Sequence, residues 1–206
     1  MLTLTKSPTS PFVRKALVVA IEAGLQDRLD LVPTNPWDPA DPLPDTNPLG
    51  KVPALTDESG QVFAGSTLIC EYLDSLNQGR KLIPAEGPER WRVLRLHALA
   101  DGVMEAAVAR IIEEVRRPEA VQWSGWVDRQ TGKIFRTLDV IEGLAAAGEL
   151  ADPPSLGELA LACALGYLDF RFPSVAWREG RPALTAWSAA VATRPSLAQT
   201  VPADPQ

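Results

Sequence analysis

Residues 47–66 read NPLGKVPALTDESGQVFAGS, and within them two apolar segments flank a polar turn. The segments 52–56 and 61–64 predict the two strands of a β-hairpin, with the DESG sequence between them as the turn. Proline cannot donate to a strand ladder, so Pro53 in the first of these strands requires an edge, a bulge or a special bend. Bends of this kind often lie beside bound ligands.

The sequence on either side of this hairpin changes in pattern. A strand over 2–5, a helix over 11–23 and a strand over 29–32 precede the hairpin, and an amphipathic helix over 66–76 follows it. This β-α-β, β-β-α order is that of a thioredoxin-like α/β fold, which we predict for residues 1–79. Residues 80–88 read as a linker, and residues 89–206 predict an all-α helical C-terminal domain. Its helices are predicted over 89–117, 120–147, 156–168 and 182–193, the third being apolar nearly all round and therefore buried.

The composition of this 206-residue chain is that of an ordinary soluble globular protein, with 46% apolar and 22% charged residues. Its net charge is −6, and neither half of the chain has the excess of basic residues that binding to nucleic acid or an anionic membrane requires. We therefore expect neither as a partner. No signal peptide is visible, no apolar segment is long enough to span a bilayer, and both cysteines lie in apolar helical patterns. We therefore expect a cytoplasmic protein. No Cys/His cluster has metal-ligand spacing, so we expect no metal.

Ser10 lies between the first predicted strand and the first predicted helix, and the following Pro11 suits the first position of a helix. This spacing makes Ser10 the N-cap of that helix. Capping alone is a sufficient reason for a serine here. An N-cap hydroxyl at the positive end of a helix can also hydrogen-bond a ligand anion, so the residues alone leave both roles open.

Four motifs occur in register along the chain: SPF at 10–12, NPLGKVP at 47–53, GS at 65–66 and SLGE at 155–158. Together they resemble the glutathione S-transferase superfamily, and the first motif resembles that of its serine-type members. The resemblance covers essentially the whole chain. It implies a cytosolic homodimer that uses glutathione as co-substrate, activates its thiol and transfers it to a small electrophilic or hydrophobic substrate in detoxification.

The resemblance also assigns roles to individual residues. Ser10 is the implied catalytic residue, with Thr9 as the alternative hydroxyl one position away. Pro53 resembles the cis-proline of the family, which turns the backbone of Val52 outward to pair with the cysteinyl residue of glutathione. Ser66 resembles the holder of the γ-glutamyl carboxylate. The implied glutathione-binding residues are Thr9, Phe12, Trp37, Lys51, Val52, Pro53, Gly65, Ser66 and Asp101.

The chain departs from the family pattern at Gly65, where an acidic or amide residue commonly meets the γ-glutamyl amino group. Asp101 resembles the residue that many members contribute to that group across a dimer interface, and a local salt bridge is the alternative role for Asp101. Gly65 supports a second hypothesis, a glutathione-binding or protein-interaction module with little catalysis. A glutathione-dependent thiol reductase or peroxidase is a third hypothesis, which Ser10 disfavours because disulfide exchange would need a cysteine there.

Overall fold

A mixed four-stranded sheet forms the centre of the first unit, which comprises residues 1–85 and 195–204 of the computed structural model. The structure describes residues 1–204. The elements up to residue 85 are β1 (Leu2–Lys6), α1 (Pro11–Glu22), β2 (Leu29–Pro33), α2 (Leu43–Thr46), β3 (Ala54–Thr56), β4 (Val62–Ala64) and α3 (Ser66–Leu76). The strand order is β2-β1-β3-β4, in which β2 is parallel to β1 and β3 is antiparallel to both of its neighbours. The predicted thioredoxin-like α/β arrangement is therefore confirmed.

The core of the first unit follows from the periodicity of its elements. Leu2 and Leu4 alternate along β1 and are buried, as the period of two in a strand requires. Helix α1 packs against α3, and the buried stripe of α3 includes Ile69 and Leu73. The predicted bounds of α3, 66–76, are those observed, because its amphipathic pattern is unbroken over these residues.

The first strand of the hairpin is shorter than its sequence predicts. The pattern places a strand over 52–56, whereas β3 begins at Ala54, and the peptide bond between Val52 and Pro53 is cis. Proline has no N–H for a ladder, so the segment before Ala54 lies outside the sheet. Pro53 therefore lies in a bend immediately before β3 and not inside the strand.

The second unit, residues 86–194, is all-helical. Its long helices are α4 (Gly87–Ile111), α5 (Ser124–Ala146), α6 (Leu156–Arg171) and α7 (Pro182–Ala192). Residues 156–165 of α6 are all buried, which confirms α6 as the central helix. A side chain at Gly157 would bring a Cβ within 2.9 Å of the Val93 carbonyl oxygen, so this glycine permits the close approach of α6 to α4. Within residues 1–204, no helix is both long and apolar enough to cross a membrane.

The connection between α4 and α5 differs from the two uninterrupted helices that the sequence predicts. A π-helical turn, Ile112–Arg116, follows α4, and a 3-10 turn, Glu119–Val121, precedes α5. Pro118 cannot continue a helix because it lacks an N–H. The buried carboxylate of Glu113 accepts a hydrogen bond of 2.7 Å from the Trp123 amide, which fixes the start of α5.

Residues 195–204, including the short helix α8 (Pro195–Ala198), return to the first unit, whereas the sequence pattern grouped them with the helical domain over 89–206. The guanidinium of Arg14 on α1 donates to the Leu197 carbonyl at 3.1 Å and to the Thr200 hydroxyl at 3.5 Å. The Ser196 hydroxyl donates to the Glu22 carboxylate. Buried Arg14 therefore explains why this segment packs on α1.

Candidate active site

Ser10 caps α1 as its position in the sequence predicts. Its hydroxyl oxygen accepts a hydrogen bond of 3.3 Å from the Val13 amide, and the Ser10 side chain is half-buried. Within residues 1–204 the hydroxyl proton of Ser10 has no acceptor, so it is available to a bound group. Thr9 lies in the same turn and is also half-buried, and Phe12 is in the first turn of α1.

Val52 is the second feature of the site, because its backbone is unpaired. Neither its N–H nor its C=O makes a hydrogen bond within residues 1–204, although Val52 is half-buried beside the cis peptide bond to Pro53. Every non-proline residue carries one backbone donor and one acceptor, and both remain available at Val52. An extended peptide could therefore add here as a short strand.

Asn47 fixes the chain on the N-terminal side of Val52. Its side chain is fully buried, its amide nitrogen donates to the Lys51 carbonyl at 2.7 Å, and its oxygen accepts from the Leu49 amide at 3.1 Å. Gly50 has a φ of 59°, which favours glycine in this turn. The Asn-Pro-x-Gly pattern predicts such a turn, but it does not predict that the Asn47 side chain bonds to Lys51.

Thr5 fixes the chain on the C-terminal side of the cis bond, and no pattern in the sequence points to this role. Its buried hydroxyl accepts from the Ala54 amide at 2.8 Å and donates to the Ala54 carbonyl at 3.3 Å. Thr5 and Ala54 are 49 positions apart, and only the pairing of β1 with β3 brings them together.

Gly65 and Ser66 form the start of α3. Ser66 is buried, and Gly65 is exposed with a φ of 92°. The first turn of α3 contains no acidic residue, and no side chain caps it in the part of the chain that the structure describes. The unsatisfied amides and the positive end of the helix dipole favour a carboxylate at such a terminus. This chemistry fits the role that the sequence implied for Ser66.

Trp37 and Gly50 line one cavity of about 270 Å³ in the loop that follows β2. The other lining residues are Asn35, Pro36, Asp38, Pro39, Asp41, Leu43 and Pro44. The structure thus brings Trp37 close to the turn that precedes exposed Lys51, and neither Ser10 nor Val52 lines this cavity. The carboxylate of Asp41 bridges the loop by accepting from the amides of Asn35 and Leu43, at 2.7 and 2.9 Å.

Asp101 belongs to α4 in the second unit, where it is half-buried. One of its carboxylate oxygens lies 3.4 Å from Nε2 of buried His97, one helical turn earlier. The local salt bridge that the sequence analysis gave as the alternative role of Asp101 therefore has a partner, His97. The His97 side chain is buried, as a structural histidine would be. Across residues 1–204, no group of three or more His, Cys, Asp or Glu side chains could hold a metal ion.

Two family models match the chain. The model described as glutathione S-transferase, N-terminal domain, matches residues 9–76, and the model described as glutathione S-transferase, C-terminal domain, matches residues 124–190. The chain is also 38% identical to the uncharacterized GST-like protein YibF of Escherichia coli, over 97% of this chain and 98% of that protein.

Solved structures resemble the whole chain. A glutathione transferase family member from Pseudomonas fluorescens with bound glutathione is 43% identical, with a TM-score of 0.94 over 99% of this chain and 100% of that one. A second structure, with bound S-(propanoic acid)-glutathione, is 44% identical, with a TM-score of 0.88 over 98% of this chain and 100% of the other.

Proposed function

The chain belongs to the glutathione S-transferase family, and from this premise we propose that it binds glutathione in its first unit and activates the thiol for attack on a small electrophilic molecule. The unpaired backbone of Val52 beside cis Pro53 is the observation that carries the proposal. The cysteinyl residue of glutathione is an extended peptide unit that can exchange hydrogen bonds with this backbone. The solved relative with bound glutathione supports the same ligand for this chain.

The two ends of the tripeptide carry carboxylates that need partners. The γ-glutamyl carboxylate suits the N-terminus of α3, where the Ser66 hydroxyl and amide add to the helix dipole. The glycyl carboxylate suits the exposed ammonium of Lys51, with Trp37 as a packing surface in the neighbouring loop. Phe12 and Thr9 flank Ser10 at the start of α1 and complete the proposed binding residues.

Ser10 is the proposed catalytic residue, because its hydroxyl can donate to the glutathione sulfur while its oxygen continues to cap α1. Glutathione supplies the nucleophilic sulfur. Lowering a thiol pKa from about 8.5 to about 6.5 requires about 2.7 kcal/mol. A charge-assisted hydrogen bond contributes about 1.5–3 kcal/mol, and the helix dipole adds about 0.3–1 kcal/mol. The energy available at the N-terminus of α1 is therefore sufficient.

The wider setting that we propose is a cytoplasmic homodimer acting in the detoxification of electrophiles. In such a dimer, Asp101 of one protomer would meet the γ-glutamyl amine bound by the other. Gly65 supports this arrangement, because a glycine has no side chain that could contact the γ-glutamyl amine.

The experiment that tests the proposal combines binding and turnover. Isothermal titration calorimetry measures glutathione binding, and conjugation is followed spectroscopically with a panel of standard aryl halide and epoxide electrophiles. We expect binding and turnover in the native protein, and a large loss of turnover with retained binding in Ser10→Ala. No heat of binding at millimolar glutathione would overturn the proposal.

A glutathione-binding module with little catalysis is the second candidate, and the observation that favours it is Gly65. The α3 terminus has no acidic side chain to orient the γ-glutamyl amine, so the tripeptide could bind without a precisely placed sulfur. Tight glutathione binding together with no turnover on every electrophile of the panel would favour this candidate.

A further inference from the structure

We propose that Thr5 is a positioning residue that sets the backbone edge at Val52 and Pro53 to which glutathione binds. The inference rests on the proposed function. Its basis is the pair of hydrogen bonds between the Thr5 hydroxyl and Ala54, at 2.8 Å from the amide and 3.3 Å to the carbonyl. Ala54 is fully buried and directly follows Pro53, so the placement of Ala54 restricts where the Val52 backbone lies.

The register of the sheet shows why Thr5 has this position. Strands β1 and β3 pair through Thr3 with Thr56 and through Leu4 with Leu55. The next step in the same register brings Thr5 opposite Ala54, where the side-chain hydroxyl bonds both polar groups of Ala54. On its other side Thr5 is paired in parallel with Val32 of β2. The hydroxyl therefore extends from a strand that is held on both sides.

Thr5 also joins the two segments that carry the proposed chemistry. Strand β1 leads through one turn to Ser10, whereas Ala54 lies two residues after Val52. A single hydroxyl thus ties the segment that would activate the sulfur to the segment that would dock the cysteinyl backbone. Without it, the buried amide of Ala54 has lost its partner, and the backbone must shift to find another. The shifted edge then presents the Val52 N–H and C=O to glutathione in poorer geometry, which weakens the binding of glutathione.

The test compares Thr5→Val, which has nearly the same shape without the hydroxyl, with Thr5→Ser, which keeps the hydroxyl. Thr3→Val is the matched control, because Thr3 is on the same strand and its hydroxyl makes no hydrogen bond within residues 1–204. We expect Thr5→Val to weaken glutathione binding, measured by calorimetry, by about 10-fold or more. Thr5→Ser and Thr3→Val should bind within about twofold of the native protein.

The kinetic readout separates positioning from simple stability. In Thr5→Val the KM for glutathione should rise, while kcat at saturating glutathione and the pKa of the bound thiol stay near native, because Ser10 is untouched. Thr5→Ala removes the same hydroxyl and is measured alongside, so a folding failure of Thr5→Val leaves a second comparison. Native affinity in a folded hydroxyl-less variant, or no recovery in Thr5→Ser, would overturn the inference. Failure of the native protein to bind glutathione would instead contradict the proposed function.

Discussion

The hydroxyl oxygen of Ser10 accepts a hydrogen bond from the Val13 amide at 3.3 Å, so one side chain both caps α1 and keeps a proton to donate. Ser10→Ala removes both functions. We expect the pKa of the bound glutathione thiol to rise by about 1–2 units, since a charge-assisted hydrogen bond is worth about 1.5–3 kcal/mol. The free energy of unfolding should fall by about 0.5–2 kcal/mol from the lost cap. Thiolate absorbance as a function of pH and chemical denaturation measure the two effects.

Ser10→Thr separates the two effects because threonine retains a capping hydroxyl. We expect near-native stability and a partly recovered thiol pKa in this variant. Thr9→Ala is the second control, with little change in the thiol pKa. If Thr9→Ala raises the thiol pKa and Ser10→Ala does not, the sulfur partner is Thr9.

Gly65 has a φ of 92°, a conformation that a side chain makes costly even though a Cβ there would contact nothing within 4 Å. Gly65→Ala should lower the free energy of unfolding by about 1–2 kcal/mol. Gly60→Ala is a matched control, because its φ of 88° and open surroundings are similar and it lies in the hairpin turn.

Gly65→Asp should be strained to the same extent but should bind glutathione up to about fivefold more tightly than Gly65→Ala, since an exposed ion pair contributes at most about 1 kcal/mol. Equal affinities would show that the γ-glutamyl amine lies elsewhere.

Glu158 is fully buried and accepts hydrogen bonds from Arg92 at 2.7 Å, from the Ala151 amide at 3.0 Å and from the Ser155 amide at 3.0 Å. Burial raises the pKa of Glu158, but the hydrogen bonds from the Ser155 side chain, Ala151 and Arg92 outweigh it and hold that pKa below its ordinary value of 4.5. A lowered folded-state pKa contributes stability above pH 4.5 that is lost as the pH falls through the folded-state pKa.

Glu158→Gln should therefore lower the free energy of unfolding at pH 7 by about 1.5–3 kcal/mol, as expected for lost hydrogen bonds to a charged group. The loss should shrink as the pH falls below 4.5, which makes the stability profile of the variant flatter than the native one. Glu89→Gln is the control, because Glu89 contacts the same guanidinium at 2.7 Å but is 58% exposed. Its effect should stay below about 1 kcal/mol. Urea denaturation between pH 3 and pH 7 gives both profiles, and parallel profiles for the native protein and Glu158→Gln would contradict this account.

Asp74 holds the segment after α3 by accepting from the Leu82 amide at 2.8 Å and from the Ile83 amide at 3.0 Å. Asp74→Asn replaces one acceptor by a donor and should cost about 1–3 kcal/mol, because the Asp74 side chain is buried. Hydrogen exchange should accelerate at the Leu82 and Ile83 amides. Glu71→Gln, exposed on the same helix, should leave both exchange rates unchanged.

Much of the fold could be predicted because its determinants are local. The stripe of α3 and the cap at Ser10 both depend on residues within four positions of one another, and both are present. The packing of residues 195–204 on α1 could not be predicted, since it depends on contact with a helix far away in sequence. The role of Thr5 could not be predicted for the same reason, because a threonine in a strand does not indicate which distant residue its hydroxyl will contact.

The packing of residues 195–204 on α1 has a consequence for the order in which the protein is made. Synthesis proceeds from the N-terminus, so Arg14 leaves the ribosome long before Leu197 and Thr200, which accept its hydrogen bonds in the finished molecule. A nascent chain that ends at residue 194 contains the whole helical unit yet lacks the final contacts of the unit that was begun first. The α/β half is therefore the first to start and the last to be completed.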